Sequence, residues 1–369
     1  MKITCYKSSL LYGVQTVYKA VSSKTSMSIL ECILITADEN GIKLTANDME
    51  LGIETYIEGK VFVAGDIAIE AKIMLDIIRS LPDNDVTIET DDNFIAHITC
   101  EKSNFNIAGR SSDEFSYLPE LDKINPLEIS QYSLKEIVKQ TIFSISDNDS
   151  NKLMTGELFE IKDNILKVVS LDGHRISIRK INLKNSYDDI SVVVPGKTLN
   201  EVSKIIPGDT DKDVSIFFTD NHIIFEFEKT TVVSRLIEGN YFKIDQMLSS
   251  DYETKIEISK KDLLEAILRA TLLVKEGDKK PIIINIGDTS MQLRINSAIG
   301  SWNEDIDISK SGKDIMIGFN PKFLIDALRV IDDETINLYM VNPKAPCIIK
   351  NNEESYIYLV LPVNFNIVS

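Results

Sequence analysis

The residues best placed to do catalysis are the run DGHR, from Asp172 to Arg175. In such a run an aspartate could orient a histidine that serves as a general base. The chain has three histidines, His97, His174 and His222, and no serine or cysteine in a nucleophile-elbow setting accompanies His174. The zinc motif H-E-x-x-H is also absent. We interpret DGHR as a turn between strands that presents His174 at a surface, and predict no catalytic residue.

The run VVVPGKT, which contains Gly196 and Lys197, has the form of the end of a phosphate-binding loop. That loop needs a glycine five residues before the Gly-Lys pair so that the backbone can wrap a phosphate, and Ser191 stands there. Lys197 also has counterparts in Lys72 and Lys322, neither of which lies in such a context. We therefore predict no nucleotide and no other cofactor.

The cysteines and the apolar runs indicate a cytoplasmic protein. The cysteines form no C-x-x-C pair, so no metal site or redox motif is predicted, and we expect reduced thiols. The N-terminus lacks the apolar stretch of a signal peptide, and no run of 18 apolar residues occurs, so we expect no membrane partner. The four cysteines are Cys5, Cys32, Cys100 and Cys347.

A threefold internal repeat predicts the helices and strands that must position the candidate residues of the DGHR and VVVPGKT runs. The runs AKIMLDIIRSLP, GKTLNEVSKIIP and PKFLIDALRVID begin at Ala71, Gly196 and Pro321, each 125 residues after the one before. From Met74 the first run has apolar residues at i, i+3, i+4 and i+7, which predicts a helix with one buried face. Lys72, Asp76 and Arg79 fall on the opposite face, and the other copies repeat this basic, acidic, basic order.

Each copy also has another helix after a short strand, and alternating runs such as IKLTA and QLRIN predict mostly antiparallel strands. The predicted fold class is α+β, with three tandem copies of a domain in which two helices pack on antiparallel sheets. We place the domains at 1–122, 123–250 and 251–369. The predicted linkers are SYLPELDKINP and LSSDYET.

Charge is distributed unevenly between the helices and the rest of the chain. The predicted helices, 8–20, 72–80, 133–143, 197–206, 259–273 and 321–331, contain 12 Lys or Arg and 6 Asp or Glu, whereas the whole chain carries −17. Ion pairing along a solvated helix face would explain one copy. Three copies favour a basic surface that contacts phosphates without reading bases.

The C-terminal run YIYLVLPVNFNIVS is apolar where chain ends are usually polar. A closing strand of the third domain explains most of it. The residues beyond Pro362 could also line an exposed groove for a partner peptide.

Several motifs resemble those of one family over essentially the whole chain. They are MKITC, KTSMSIL, NDMELGIE, SDEF, LDGHRISI, VVVPGK and YLVLPV. Together they resemble the bacterial sliding clamp, the beta subunit of DNA polymerase III. The resemblance implies a head-to-tail homodimer that closes a six-domain ring around double-stranded DNA, with the helices lining the hole. It implies a non-catalytic tether for the polymerase III alpha subunit, the clamp loader and other clamp-motif proteins.

The resemblance also implies roles for individual residues. The DNA-facing residues on this basis are Lys24, Lys72, Arg79, Lys197 and Lys204, and the helix charge pattern adds Lys135, Lys139, Lys322 and Arg329. The partner-peptide pocket would comprise Met154, Leu171, Gly173, His174, Arg175, Ile176, Phe242, Met247, Leu361, Pro362 and Val363. The dimer interface would comprise Phe105, Ile107, Ile77, Leu272 and Leu273.

The chain departs from the family pattern around the pocket. Phe242 stands where the family usually has a proline of the pocket wall, and Leu171 where it commonly has threonine. The family's T-L-P-I-L is Ser26 to Leu30 here, and the chain continues past the usual end from Asn366 to Ser369. Two alternatives stay open: a divergent second clamp copy, and a clamp-fold scaffold that binds partner peptides without encircling DNA.

Overall fold

The computed structural model describes residues 1–22, 25–148, 150–248, 251–274 and 280–365.

Three successive stretches repeat the order of strand, helix, strands, helix and strands. The first has β1 Lys2–Tyr6, α1 Lys7–Val17, β2 Cys32–Asp38, β3 Gly41–Asn47, β4 Leu51–Ile57, β5 Lys60–Val63, β6 Gly65–Glu70, α2 Ala71–Ser80, β7 Asp85–Thr90, β8 Ile95–Cys100 and β9 Ser103–Ala108. The second has β10 Leu127–Ser130, α3 Gln131–Lys139, β11 Gly156–Leu171, β12 Arg175–Pro195, α4 Gly196–Ile205, β13 Asp213–Phe218, β14 His222–Phe227 and β15 Thr230–Arg235. The third has β16 Thr254–Ser259, α5 Lys260–Thr271, β17 Ile282–Ile286, β18 Ser290–Asn296, β19 Ser301–Asp307, β20 Ser309–Gly312, β21 Ile315–Phe319, α6 Pro321–Val330, β22 Thr335–Met340, β23 Cys347–Lys350 and β24 Tyr356–Val360.

The strands form four sheets, and the pairings between these strands are antiparallel as predicted. A five-stranded sheet has the order β5-β1-β7-β8-β9, and an eight-stranded sheet has the order β10-β13-β14-β15-β4-β3-β2-β6. A seven-stranded sheet has the order β11-β12-β24-β23-β22-β16-β20, and a four-stranded sheet has the order β19-β18-β17-β21.

The chain divides into two compact units. The first comprises residues 1–134 and 197–236, and the second comprises 135–196 and 237–369. The middle repeat therefore contributes strands to a sheet in each unit, through β15 beside β4 in the first and β12 beside β24 in the second. The domain boundaries at 122 and 250 stay predictions.

The predicted two-faced helix is confirmed in α2, α4 and α6. In α2 the residues Met74 and Ile78 are buried, whereas Lys72 and Arg79 are exposed. The third copy begins where Pro321 takes the first helical position and the Asn320 side chain accepts a hydrogen bond from the N–H of Lys322 at 3.0 Å.

The helix predicted over 133–143 is shorter than expected, because α3 ends at Lys139. The hydroxyl of Thr141 donates to the carbonyl of Ile137 at 2.7 Å, and the hydroxyl of Ser170 donates to the carbonyl of Thr141 at 2.6 Å. These bonds hold the segment after the C-terminal end of α3 against β11. A separate 3-10 turn follows at Ile142–Ser144. Among the described helices, none is long and apolar enough to cross a membrane.

Candidate functional site

Basic side chains of the first unit line one open groove between α1, α2 and α4. The groove has a volume of about 720 Å³. Its walls include aromatic and polar residues of α1, such as Tyr12 and Gln15, and the acidic residue Asp76. The four cations that line it are Lys19, Lys72, Arg79 and Lys204.

The cations of the groove differ in how far they are neutralised. Glu201 lies 3.7 Å from Lys19 and 2.8 Å from Lys204, so one carboxylate serves two lysines. Lys72 and Arg79 are exposed, and across the ranges described above they form no ion pair with a carboxylate. Because a phosphate is attracted most by charges that no protein carboxylate offsets, Lys72 and Arg79 are the strongest candidates for contact with a nucleic-acid backbone.

Lys197 stands at the start of α4, where its ammonium forms an ion pair with Asp48. The strand β12 runs directly into α4, without the glycine-rich loop that a nucleotide site would need. Gly196 is instead required by packing, since a Cβ there would lie 2.4 Å from a methyl group of Ile145 and 2.8 Å from the carbonyl oxygen of Thr155. The geometry agrees with the expectation that this run is not a phosphate-binding loop.

The other predicted DNA-facing residues lie on the helices of the second unit. Lys139 on α3 is exposed and pairs with Glu136 at 3.2 Å. On α6, Lys322 and Arg329 are exposed, and among the described residues neither forms an ion pair. Lys135 is half-buried on α3. Lys24 lies outside the described residues.

A buried apolar cluster lies on one face of the seven-stranded sheet. Its members Ile178 and Ile357, with Leu248 and Ile348 that pack against it, line an open pocket of about 310 Å³ together with charged residues. The sequence predicted part of the cluster that forms the floor of this apolar pocket. Leu171 and Ile176 belong to its buried cluster, and Met154 and Phe242 pack against that cluster as half-buried residues. Phe242 contacts Tyr241 edge to face, with ring centroids 5.5 Å apart. The cluster members that the sequence analysis missed are Leu158, Val169, Ile178, Ile244, Ile357 and Leu359.

Alternation along the strands could have revealed several of these missed residues. Successive side chains of a strand point to opposite faces, so Ile178 shares a face with Ile176 on β12. Ile176 pairs with Leu359 of β24, and Ile178 pairs with Ile357. The pocket floor is therefore a two-strand apolar ladder.

The predicted rim of the pocket, Met247 and Leu361, is exposed where the apolar cluster is buried. Met247 is 53% exposed and Leu361 is 36% exposed. The N–H of Leu361 donates to the carbonyl of His174 at 2.9 Å, and the N–H of Val363 donates to the carbonyl of Gly318 at 2.8 Å. These bonds continue the course of β24 and hold the C-terminal segment, including the half-buried Pro362, along the rim.

The turn DGHR joins β11 to β12 and presents His174 to solvent, as predicted. Gly173 has φ +86°, which glycine adopts without strain. The carboxylate of Asp172 accepts from the backbone N–H groups of His174 at 2.9 Å and Arg175 at 3.1 Å, so it holds the turn and does not orient the imidazole. The ring of His174 stacks on Phe323. In this turn Asp172 therefore does not pair with His174 as the orienting carboxylate of a general base would.

The side chain of Arg175 is only 8% exposed and lies on the face of β12 opposite Ile176 and the apolar cluster, and its contact with a partner peptide stays a prediction. Its guanidinium donates to Asp172 at 2.9 Å, to Asp326 on α6 at 2.7 Å and to the carbonyl of Phe143. It also lies 4.5 Å from the ring centroid of Phe323. Strand alternation explains this orientation, since Ile176 faces the pocket and its neighbour must face the other side. Arg175 therefore supports the pocket from behind.

Glu157, at the start of β11, is fully buried in the second unit. Both of its carboxylate oxygens lack a hydrogen-bond partner among the described residues. Burial raises its pKa well above the ordinary range for glutamate. Nearby Tyr241, which packs on the pocket, has its pKa raised by burial and by Glu157. The carboxyl is therefore held in its neutral form over a wider pH range than an exposed glutamate.

The predicted dimer-interface residues fall on edges and helix ends. Phe105 and Ile107 are half-buried on β9, an edge strand of the five-stranded sheet. Leu272 is 80% exposed just after α5, and Leu273 packs against the core of the second unit. Ile77 is buried within α2, so its side chain lies behind the surface of the first unit.

Family models cover the chain in three consecutive parts. They are the N-terminal domain of the DNA polymerase III beta subunit over residues 1–119, its central domain over 128–243 and its C-terminal domain over 245–364. Among curated proteins, the chain is 32% identical to the beta sliding clamp of Staphylococcus epidermidis, over 98% of this chain and 99% of that protein.

Solved structures match over a similar length. The chain is 68% identical to a putative DNA polymerase III beta subunit from Eubacterium rectale, with a TM-score of 0.97 over 99% of this chain and 100% of that one. It is 31% identical to the DNA polymerase sliding clamp from Bacillus subtilis, with a TM-score of 0.96 over the same shares of each chain.

Proposed function

Because the chain belongs to the family of DNA polymerase III beta subunits, the beta sliding clamps, we propose that it is a processivity factor in DNA replication. In this proposal two copies associate head to tail and close a ring of six domains around double-stranded DNA. The ring slides without reading sequence and tethers a polymerase. It is not itself an enzyme, and it works in the cytoplasm.

The basic groove of α1, α2 and α4 is the observation that supports the DNA-binding part of this proposal. Lys72 and Arg79 carry charges that no carboxylate neutralises among the described residues, although the whole chain is strongly acidic. Cations of this kind attract any phosphate backbone, whereas the acidic remainder of the chain repels it elsewhere. We propose that Lys197 of the first unit, and Lys322 and Arg329 of the second unit, also contact the phosphate backbone.

The apolar pocket of the second unit supports the tethering part. Its floor is buried and apolar, and its rim exposes Met247, Leu361 and His174. Such a pocket suits a short peptide that anchors through apolar side chains. We propose that it binds clamp-motif peptides of the polymerase III alpha subunit, the clamp loader and other partners. Phe242 would shape the wall, and Arg175 would hold the floor in place.

A processivity assay tests the proposal. A primed single-stranded circle is copied by the replicative polymerase and clamp loader of the same organism, with and without this chain, under conditions that allow one binding event per template. We expect product length to rise by an order of magnitude or more when the chain is present, since a tethered polymerase cannot diffuse away. Equal product lengths would contradict the proposed function.

The family membership does not favour a scaffold that binds peptides without encircling DNA. Such a scaffold would bind peptides in the apolar pocket yet give no gain in product length. The same assay therefore separates the two functions.

A further inference from the structure

One face of the seven-stranded sheet changes from apolar to basic along its strands. Side chains two residues apart on a strand share a face, so Ile178 and Lys180 lie together on β12, and Ile348 and Lys350 lie together on β23. Lys167 of β11 is paired directly with Lys180. The apolar cluster is therefore bordered by three lysines.

The open pocket of about 310 Å³ crosses the border between the apolar cluster and these lysines. Its charged side consists of the three lysines and of two carboxylates, those of Asp245 and Glu354. Cations therefore outnumber carboxylates in the lining of the pocket, although the whole chain carries a formal charge of −17. An anion is attracted to such a place more than to the average surface of an acidic protein.

Two of the three lysines are held in place by carboxylates of the chain itself. The ammonium of Lys167 lies 3.1 Å from Glu160 and 3.5 Å from Asp245. The ammonium of Lys350 donates a hydrogen bond to Glu354 at 2.5 Å. Both lysine side chains are mostly buried, so these contacts fix the two cations at the wall of the pocket.

Lys180 differs from the other two lysines because it has no direct acidic partner. Its side chain is half-buried, and in the described part of the chain its ammonium forms no ion pair. Its charge still acts on Glu354, whose pKa is lowered first by the hydrogen bond from Lys350 and further by the charge of Lys180. Burial of a cation costs desolvation energy that a nearby anion offsets. Lys180 is therefore the cation to which a carboxylate of a ligand can bind without displacing one of the protein's own.

The first unit has a counterpart of this face, but the counterpart lacks two of the lysines. The strands β4 and β12 follow turns that are closed by the same hydrogen bond, from an aspartate N–H to the carbonyl three residues later, at 3.0 Å for Asp48 and 3.3 Å for Asp172. Counted from these aspartates, Tyr56 stands in the place of Lys180. The strand pairings give the same alignment and place Glu226 of β14 where Lys350 lies on β23.

The charge at this corner of the sheet is thus reversed between the two units. In the first unit Glu226 forms an ion pair with Lys123, which belongs to the predicted linker that follows the first repeat. The first unit therefore supplies the opposite charge from within the chain. In the second unit the strands carry the cations, so the complementary group for Lys180 is acidic.

We propose that Lys180, flanked by Lys167 and Lys350, binds an acidic side chain next to the apolar anchor of a partner peptide. The proposal rests on the proposed peptide-binding function and specifies one feature of the peptide. The apolar cluster would hold the anchor, and the neighbouring carboxylate would reach Lys180 within the same pocket. Charge complementarity of this kind selects among partners, because a peptide with a basic residue at that place is repelled.

Fluorescence anisotropy with the full chain tests the proposal. Two labelled peptides share the clamp motif of the polymerase III alpha subunit of the same organism and differ in their flanks, which are Glu residues in one and Gln residues in the other. At low salt we expect the Glu peptide to bind the wild-type protein about fivefold more tightly. Lys180→Gln should reduce this preference to about twofold or less and leave the affinity of the Gln peptide unchanged. Raising the salt should also narrow the wild-type preference.

Lys162→Gln is the matched control. Lys162 is an exposed lysine of the same strand as Lys167, and it pairs with the same Glu160 at 3.4 Å, but it does not line the pocket. This variant should keep the full preference for the Glu peptide, and circular dichroism establishes that each variant is folded.

Three results would overturn the inference while leaving the peptide pocket standing. They are equal binding of the two peptides to the wild-type protein, a preference that survives Lys180→Gln, and an equal loss of affinity for both peptides in that variant. The last result would mean that Lys180 only supports the fold of the pocket. A wild-type protein that binds neither peptide would instead contradict the proposed peptide-binding function.

Discussion

The basic groove of the first unit and the apolar pocket of the second are built from the same repeated domain but in opposite ways. The groove uses the exposed faces of helices, where Lys72 and Arg79 reach into solvent with few partners. The pocket uses a buried strand ladder, supported from behind by Arg175 with its three hydrogen-bond acceptors. Changes in the groove should therefore alter binding without altering the fold, whereas changes behind the pocket should alter the fold itself.

The largest expected effect is on Arg175. Arg175→Gln would leave Asp172 and Asp326 without the buried guanidinium that they share, and breaking a buried pair of this kind costs about 3 kcal/mol or more. Urea unfolding, monitored by circular dichroism, measures the free energy of unfolding. Arg79→Gln is the matched control in the groove, and we expect it to change stability by less than about 0.5 kcal/mol. Equal losses in the two variants would contradict the contrast between the surfaces.

The rim of the pocket should give the next largest effect. Met247→Ala together with Leu361→Ala removes apolar side chains that are already exposed, so the protein should stay folded. We expect affinity for a clamp-motif peptide to fall by about 30-fold, measured by fluorescence anisotropy. Met49→Ala, which removes a similarly exposed methionine between β3 and β4 of the first unit, should leave affinity unchanged. A loss of affinity with Met49→Ala would mean that the peptide binds elsewhere.

Charge reversal at one exposed lysine on each of α2, α4 and α6 should affect DNA loading more than stability. The triple variant Lys72→Glu, Lys197→Glu and Lys322→Glu should reduce loading onto primed circular DNA by about tenfold, because three phosphate-facing charges change sign. A triple reversal of three exposed lysines outside the helices is the control. Marked unfolding of the test variant, but not of the control, would mean that these lysines stabilise the fold instead of serving only in binding. The control lysines are Lys60, Lys212 and Lys344.

The smallest expected effect concerns Glu157 behind the pocket. Its folded pKa is raised, so its contribution to stability is fully present below the unfolded pKa and is lost as the pH rises toward the folded value. Glu157→Gln removes the titration, and we expect the variant to be more stable than the wild type at pH 8, where the carboxyl of the unfolded wild-type chain is ionised. At pH 5.5 the gain should be smaller. Urea unfolding at both pH values measures the difference, and a gain independent of pH would contradict it.

Periodicity was sufficient to predict the elements that make the groove. The apolar stripe from Met74 onward placed Lys72 and Arg79 on the exposed face, and the structure agrees. Lys19 lies in the predicted helix 8–20, but it was not predicted to be a DNA-facing residue. Its neighbour Glu201 is far along the chain, so no local pattern could join them.

The support of the pocket could not be predicted in the same way. Asp326 lies on the helix face predicted to meet solvent, yet it accepts from Arg175, which is 151 residues away in the sequence. The resemblance placed Arg175 in the pocket, and only the alternation of β12 shows that its side chain faces the other side. In the first unit, Leu118 and Leu121 of the predicted linker pack against Val233, a residue of β15 in the region where β15 pairs with β4. No pattern in the linker sequence predicts that it covers this face of the first unit, whereas the pocket of the second unit stays open.

We propose that the chain encircles DNA and is held there by topology. In the decisive experiment the labelled protein is loaded onto nicked circular DNA with the clamp loader, free protein is removed by gel filtration, and the circle is then cut once with a restriction enzyme. We expect the protein to stay with the circle and to be lost within minutes from the linear DNA, because a ring slides off a free end. Protein that remains bound equally to both forms of the DNA would contradict it.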